Sequence, residues 1–150
     1  MMKLPCALLL MSAATCATAP ALAALGGDVR SVESDRANVK GELRVTPTVA
    51  YDVHEIRTAA GVVIHEYVSR GGQVFAVSWR GPGRPDLGPL LGSYSAQLAQ
   101  AAPRPHYNHH YLRIATTDVV MESHFYSRTL SGRAWVPALL PQGLASKDIG

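Results

Sequence analysis

The chain has 150 residues, 14 Lys and Arg against 11 Asp and Glu, a formal net charge of +3 and 47% hydrophobic residues. That length fits one domain with a core of its own. Positive charge spread along the chain, with no basic patch interleaved with aromatics, argues against nucleic acid as a partner, and the aromatic and β-branched content is too high for a disordered chain.

Lys3, the apolar run around Leu8-Leu9-Leu10 and the small-residue exit Ala21-Leu22-Ala23 have the layout of a secretory signal peptide, cleaved after about Ala23. The expected address is periplasmic or secreted, with residues 1–23 as leader and 24–150 as one small domain. The apolar run is well short of the roughly 20 residues that span a bilayer. No transmembrane segment is therefore expected after the leader is removed. Both cysteines, Cys6 and Cys16, fall in the leader. Residues 24–150 then hold no disulfide, no thiol nucleophile, no thiolate metal site and no cysteine-attached haem.

After the leader, Val29, Val32, Arg36 and Val39 share a helical stripe, which predicts a short N-terminal helix over residues 28–39 ended by Gly41. Residues 42–46, 51–58, 62–69 and 73–79 read as four strands. Ala59-Ala60-Gly61 and Arg70-Gly71-Gly72 between them are three-residue loops ending in glycine, the mark of a type I turn closed by a left-handed glycine. An antiparallel meander follows. Turn type fixes register: Ile56 should face Ile64, Glu55 should face His65, and His54 should face Glu66. Beyond the second loop, Tyr67 should face Phe75 and His65 should face Val77. One face then collects Tyr51, Val53, Val63, Tyr67, Phe75, Val77 and Trp79, and this aromatic face is the expected core.

Two His-Glu dipeptides, His54-Glu55 and His65-Glu66, lie in this meander. Two readings are open. They can be two cross-strand ion pairs, one on each face. Alternatively, Glu55 and His65 can form a half-buried acid–base couple of hydrolase type, with no serine or threonine beside them by spacing.

Arg80-Gly-Pro-Gly-Arg-Pro85 breaks the sheet, and Trp79, Arg80 and Arg84 at this rigid break are the candidate binding surface. Asp86 caps a main helix to about residue 101, with Leu87, Leu90, Leu91, Tyr94 and Leu98 on one stripe, packed on the aromatic face. His106, His109 and His110 are candidate metal ligands, but adjacent His109 and His110 point apart in an extended chain, and no carboxylate lies close in sequence. Residues 118–127 and 132–136 read as a closing hairpin turning at Leu130-Ser131-Gly132. Pro137 and Pro141 fix a tail whose leucines cover a sheet edge. The expected fold is α+β: an antiparallel meander of about four strands plus a C-terminal hairpin, packed on one main helix.

ALGGD at 24–28, HEYVSRGGQVFAVSWRGPGRPDLGPLLGSY at 65–94 and SGRAWVPALLPQG at 131–143 resemble the exported proteobacterial family catalogued as domain of unknown function 2844. The resemblance implies a Gram-negative envelope and a periplasmic address. It supplies no catalytic residues and no cofactor. The function expected is a non-catalytic binding or envelope-interaction module, with another envelope protein as a candidate partner docking on the edge strand 42–46 or the tail. The alternative is a small hydrolase using Glu55 and His65.

Overall fold

In a computed structural model, residues 25–103 and 110–150 are described. Helix α1 is Arg30–Asn38, and four strands follow it: β1 Glu42–Pro47, β2 Tyr51–Arg57, β3 Val63–Ser69 and β4 Val74–Gly81. Two short helices, α2 Leu87–Leu91 and α3 Tyr94–Ala101, lead to β5 Tyr111–Ala115, β6 Val120–Tyr126 and β7 Thr129–Trp135. All seven strands form one antiparallel sheet in the order β1-β2-β3-β4-β7-β6-β5. The chain leaves β4, crosses over in the two helices, re-enters at the far edge and fills back toward β4.

This corrects the α+β expectation. There is one seven-stranded sheet rather than four strands with a separate hairpin, and the helices are small. The main helix is two pieces because it breaks at Gly92, whose backbone (φ 52, ψ −128) is not helical. Strand β5 was not anticipated. The last hairpin turns at Ser127-Arg128, not at Leu130-Gly132, which lies inside β7.

The first two turns form as their glycines dictate. Gly61 and Gly72 have φ of +80° and +78°, a region that a side chain disfavours. Each donates its amide to the residue before the loop, Thr58 and Ser69. The β2–β3 register is the expected one, with Ile56 on Ile64 and Glu55 on His65. The β3–β4 register is not. A bulge between Tyr67 and Val68 on one side, and around Phe75 on the other, sets Tyr67 on Ala76, His65 on Ser78 and Ile64 on Trp79. One extra residue exchanges the faces of everything beyond it.

The faces therefore sort differently from expectation. Trp79 and Val77 join Ile56, Ile64 and Val68 under Leu90, Leu91 and Leu98 of the helices and Val32 of α1. Tyr67, Phe75 and Trp135 form a second cluster on the opposite face, with Tyr51 and Val53 packed against it. That cluster is covered by the C-terminal tail through Leu139, Leu140, Leu144 and Ile149. The tail thus covers part of a face, not an edge. The leading LGGD segment closes the start of β4 by Gly26 N–H to Val74 O at 2.7 Å and Val74 N–H to Gly27 O at 2.9 Å.

Gly132 lies opposite Trp79, and a Cβ there would overlap the indole Cζ2 and sit 2.8 Å from the Glu122 carbonyl oxygen. Gly132→Ala is expected to destabilise the fold by about 1–3 kcal/mol, the usual cost of overpacking a filled site. Thermal or urea unfolding measures it, and an unchanged midpoint would contradict the packing of Trp79 on Gly132.

Candidate functional site

The face opposite the helices is only half covered by the tail. Register places one residue from each strand in a single polar row on its open half. Arg44 pairs with Glu55, Glu55 with His65 and His65 with Ser78. The row continues from Ser78 to Arg133, Glu122 and Arg113. A parallel row runs through Arg57, Val63, Arg80, Ser131 and His124. Glu55, His65, Ser78 and Arg133 of the first row and all five of the second line an open groove of about 840 Å³, ringed by Arg57, Arg80, Arg128 and Arg133, with Glu55 as its one carboxylate side chain among the described residues.

Two clusters hold the floor rigid. Glu55 accepts from Arg57 Nε at 2.7 Å and lies 3.1 Å from His65 Nε2. Arg57 first, then His65, hold its carboxyl below the usual range. In the second cluster Glu122 accepts two bonds from Arg133, at 2.7 and 2.9 Å, and one from Arg113 at 3.1 Å. Burial works against its charge, but Arg133 and then Arg113 outweigh it and keep its pKa low. Arg133 also donates to the carbonyls of Ser146 and Ile149, at 2.8 and 3.0 Å. One guanidinium therefore fixes both the groove wall and the tail, in the forked geometry that arginine favours.

The expected site residues separate. Glu55 and His65 come together in the groove, and Arg80 lies on its wall. Trp79 is 2% exposed beneath the helices and cannot anchor a surface ligand. Arg84 is exposed in the loop beyond the groove. His110 is exposed, with Nδ1 3.3 Å from the Phe125 carbonyl. His106 and His109 lie outside the described residues. The paired dipeptides make one cross-strand His–Glu contact rather than two, because His54 and Glu66, although opposite each other, are buried on the helix side with no hydrogen bond among the described residues.

Sequence reasoning missed several groups. Ser78 was not singled out, because the expected register sets Val77 across from His65; the bulge brings Ser78 there instead. Its hydroxyl is buried and lies 3.4 Å from the Tyr67 hydroxyl. Arg57, Arg128, Arg133 and His124 were not singled out, since they converge from three strands and a turn. Their alternation against apolar neighbours was the available signal.

A buried acidic cluster lies on the helix side. Asp35 of α1 and Glu66 of β3 are each 1% exposed, and among the described residues neither carboxyl makes a hydrogen bond of ordinary geometry. Burial first, and the neighbouring Asp35 second, push Glu66 up to about 9. Burial likewise raises Asp35 to about 6. His54, facing Glu66, is pushed down by burial. Asp35 lies three residues after Val32, so the helical stripe could have shown it facing inward.

No curated protein and no solved structure matches the chain. Among the described residues no helix is long and apolar enough to cross a membrane.

The raised carboxyl pKa values set a sign. From the ordinary carboxylate range up to about 9, the folded chain binds more protons than the unfolded one, so stability falls as pH rises through that window. Below the ordinary imidazole range the lowered pKa of His54 acts the other way. Urea midpoints should drop between pH ~5 and ~9, at up to about 1.4 kcal/mol per pH unit for each proton involved. Glu66→Gln should remove most of that drop. A wild-type midpoint flat with pH would contradict the buried pair.

A family model described as protein of unknown function (DUF2844) matches residues 21–149, and the chain belongs to that family.

Proposed function

We propose that the chain is an exported, non-catalytic binding module of the Gram-negative envelope, and that the groove on the open sheet face is its ligand site. The leader-like composition of residues 1–23 supports export, and the family's proteobacterial distribution supports the envelope. The observation that carries the site is the polar row running across all seven strands beside a tail-covered hydrophobic cluster. A solvated sheet face needs scattered charges only. This one gathers four arginines around one concavity, and two of them, Arg80 and Arg128, meet no carboxylate within ion-pair distance among the described residues. Concave sites with convergent polar groups are where ligands bind.

A second reading follows from the position of Ser78. Glu55, His65 and Ser78 stand side by side on three neighbouring strands, the residue types of a carboxylate–imidazole–hydroxyl hydrolase. It ranks second because Ser78 is 4% exposed and its hydroxyl is nearest to Tyr67, while Glu55 is already held by Arg57.

Two measurements separate the readings. Backbone amide shifts recorded while periplasmic small-molecule extract is titrated in should move at His65, Arg80, His124 and Arg133 and stay still on the helix side. Shifts confined to the helix side would contradict the proposal. An active-site fluorophosphonate should leave Ser78 unlabelled, and labelling lost in Ser78→Ala would overturn the non-catalytic reading in favour of the hydrolase.

A further inference from the structure

The turn between β6 and β7 is built against local preference. Ser127 and Arg128 both have positive φ, 46° and 68°, the pair of conformations a two-residue type I′ turn needs and which Asn-Gly normally supplies. Non-glycine residues pay conformational strain there, and such strain concentrates at functional sites. What the turn achieves is position: it holds the Arg128 side chain at the rim of the groove. Arg80 lines the same groove, projecting from β4 directly opposite Ser131. Both guanidiniums are exposed and neither meets a carboxylate within ion-pair distance among the described residues. Arg57 and Arg133, by contrast, are paired to Glu55 and Glu122.

Beside these arginines lies an aromatic ledge. His124, on the groove, lies tilted against Tyr111 with ring centroids 4.7 Å apart. Tyr126, two residues further on the same face of β6, is 82% exposed, and its partner Thr129 lines the groove. Exposed tyrosines, here on the neighbouring strands β5 and β6, offer flat apolar surface with a polar tip, and next to them the groove is lined by His124, Thr129 and Ser131. Free guanidiniums recognise carboxylate, sulfate or phosphate oxygens in forked pairs. Flat rings beside hydroxyls suit the C–H face and the hydroxyl edge of a sugar.

Resting on the groove as the ligand site, we propose that its ligand is an acidic saccharide, with the anionic group between Arg80 and Arg128 and a sugar ring on the Tyr111–His124–Tyr126 ledge. The arginines supply charge and the ledge supplies area. Neither half alone accounts for both features.

The test is calorimetric titration of the purified protein at low salt with a galacturonate trimer and a hyaluronan tetrasaccharide. The neutral galactose trimer and inorganic phosphate are the controls. An acidic oligosaccharide should bind, and its affinity should fall as salt rises. Phosphate should bind more weakly, and the neutral trimer weakest. Arg80→Gln and Arg128→Gly should each reduce acidic-sugar affinity about tenfold, the loss of one charge-assisted pair. Arg128→Gly should also raise the melting temperature, because glycine suits the turn, which separates lost binding from lost folding. Tyr111→Ala with Tyr126→Ser should weaken the sugars and leave phosphate unchanged. Failure of both acidic oligosaccharides to bind, equal binding of the neutral trimer, or unchanged affinity in both arginine variants would overturn the proposal. A neutral or cationic ligand mapped to the groove would overturn it while leaving the groove as the site. A ligand mapped to the helix side would overturn both.

Discussion

The extra residue in β4 is the constraint on which the rest of this molecule depends. Between Tyr67 and Val68 the ladder with β4 slips by one, and both Phe75 and Ala76 fall on the tail side. Beyond that point Val77 and Trp79 turn under the helices while Ser78 and Arg80 turn outward. Without the bulge, Trp79 would stand in the groove and Ser78 would be under the helices. β4 is buried at every position but Arg80; Val74, Val77 and Trp79 serve the helix side, while the bulge leaves the adjacent Phe75 and Ala76 both on the tail side.

Two cores result, and they do different work. The helix-side core is mostly aliphatic around Trp79, closed by α1, α2 and α3, and includes the Asp35–Glu66 pair. The tail-side core is aromatic, with Tyr51 edge-on to Phe75 at 5.7 Å and Tyr67 tilted against Phe75 at 6.1 Å. It stops at Ile149, where Arg133 binds the tail carbonyls, and the polar groove begins on the far side of that guanidinium. The tail is therefore both the lid of one core and the wall of the site. Residues 65–79 carry the bulge. Residues 131–140 carry Gly132 under Trp79, the Arg133 clamp and the leucines of the tail.

Much of the architecture was legible, and the failures have physical causes. The first glycine turn gave a correct β2–β3 register because a turn closed by Gly61 leaves one choice of pairing. The second failed because Val74-Phe75-Ala76-Val77 is apolar at every position. Alternation then carries no phase, and a bulge leaves no mark. Gly132 was mistaken for a turn glycine, whereas it is a strand glycine required by close approach to Trp79. The true turn uses Ser127 and Arg128, which break the residue preference that would reveal it. The expected aromatic face does not stay together: the bulge sends Val77 and Trp79 under the helices and leaves Tyr67 and Phe75 under the tail. At the site, Glu55 and His65 were readable because they sit across one well-defined hairpin. Arg133, Glu122, Arg128 and His124 join them through the β4–β7 pairing, which links residues about fifty positions apart and cannot be read from local spacing.

The central claim is that the bulge in β4 sets the polar row facing the groove and Trp79 away from it. Cross-strand backbone NOEs in the isotope-labelled protein test this most directly. The account predicts contacts that pair His65 with Ser78 and Ile64 with Trp79. Contacts pairing His65 with Val77 would restore the unbulged register, put Trp79 on the open face and contradict the account.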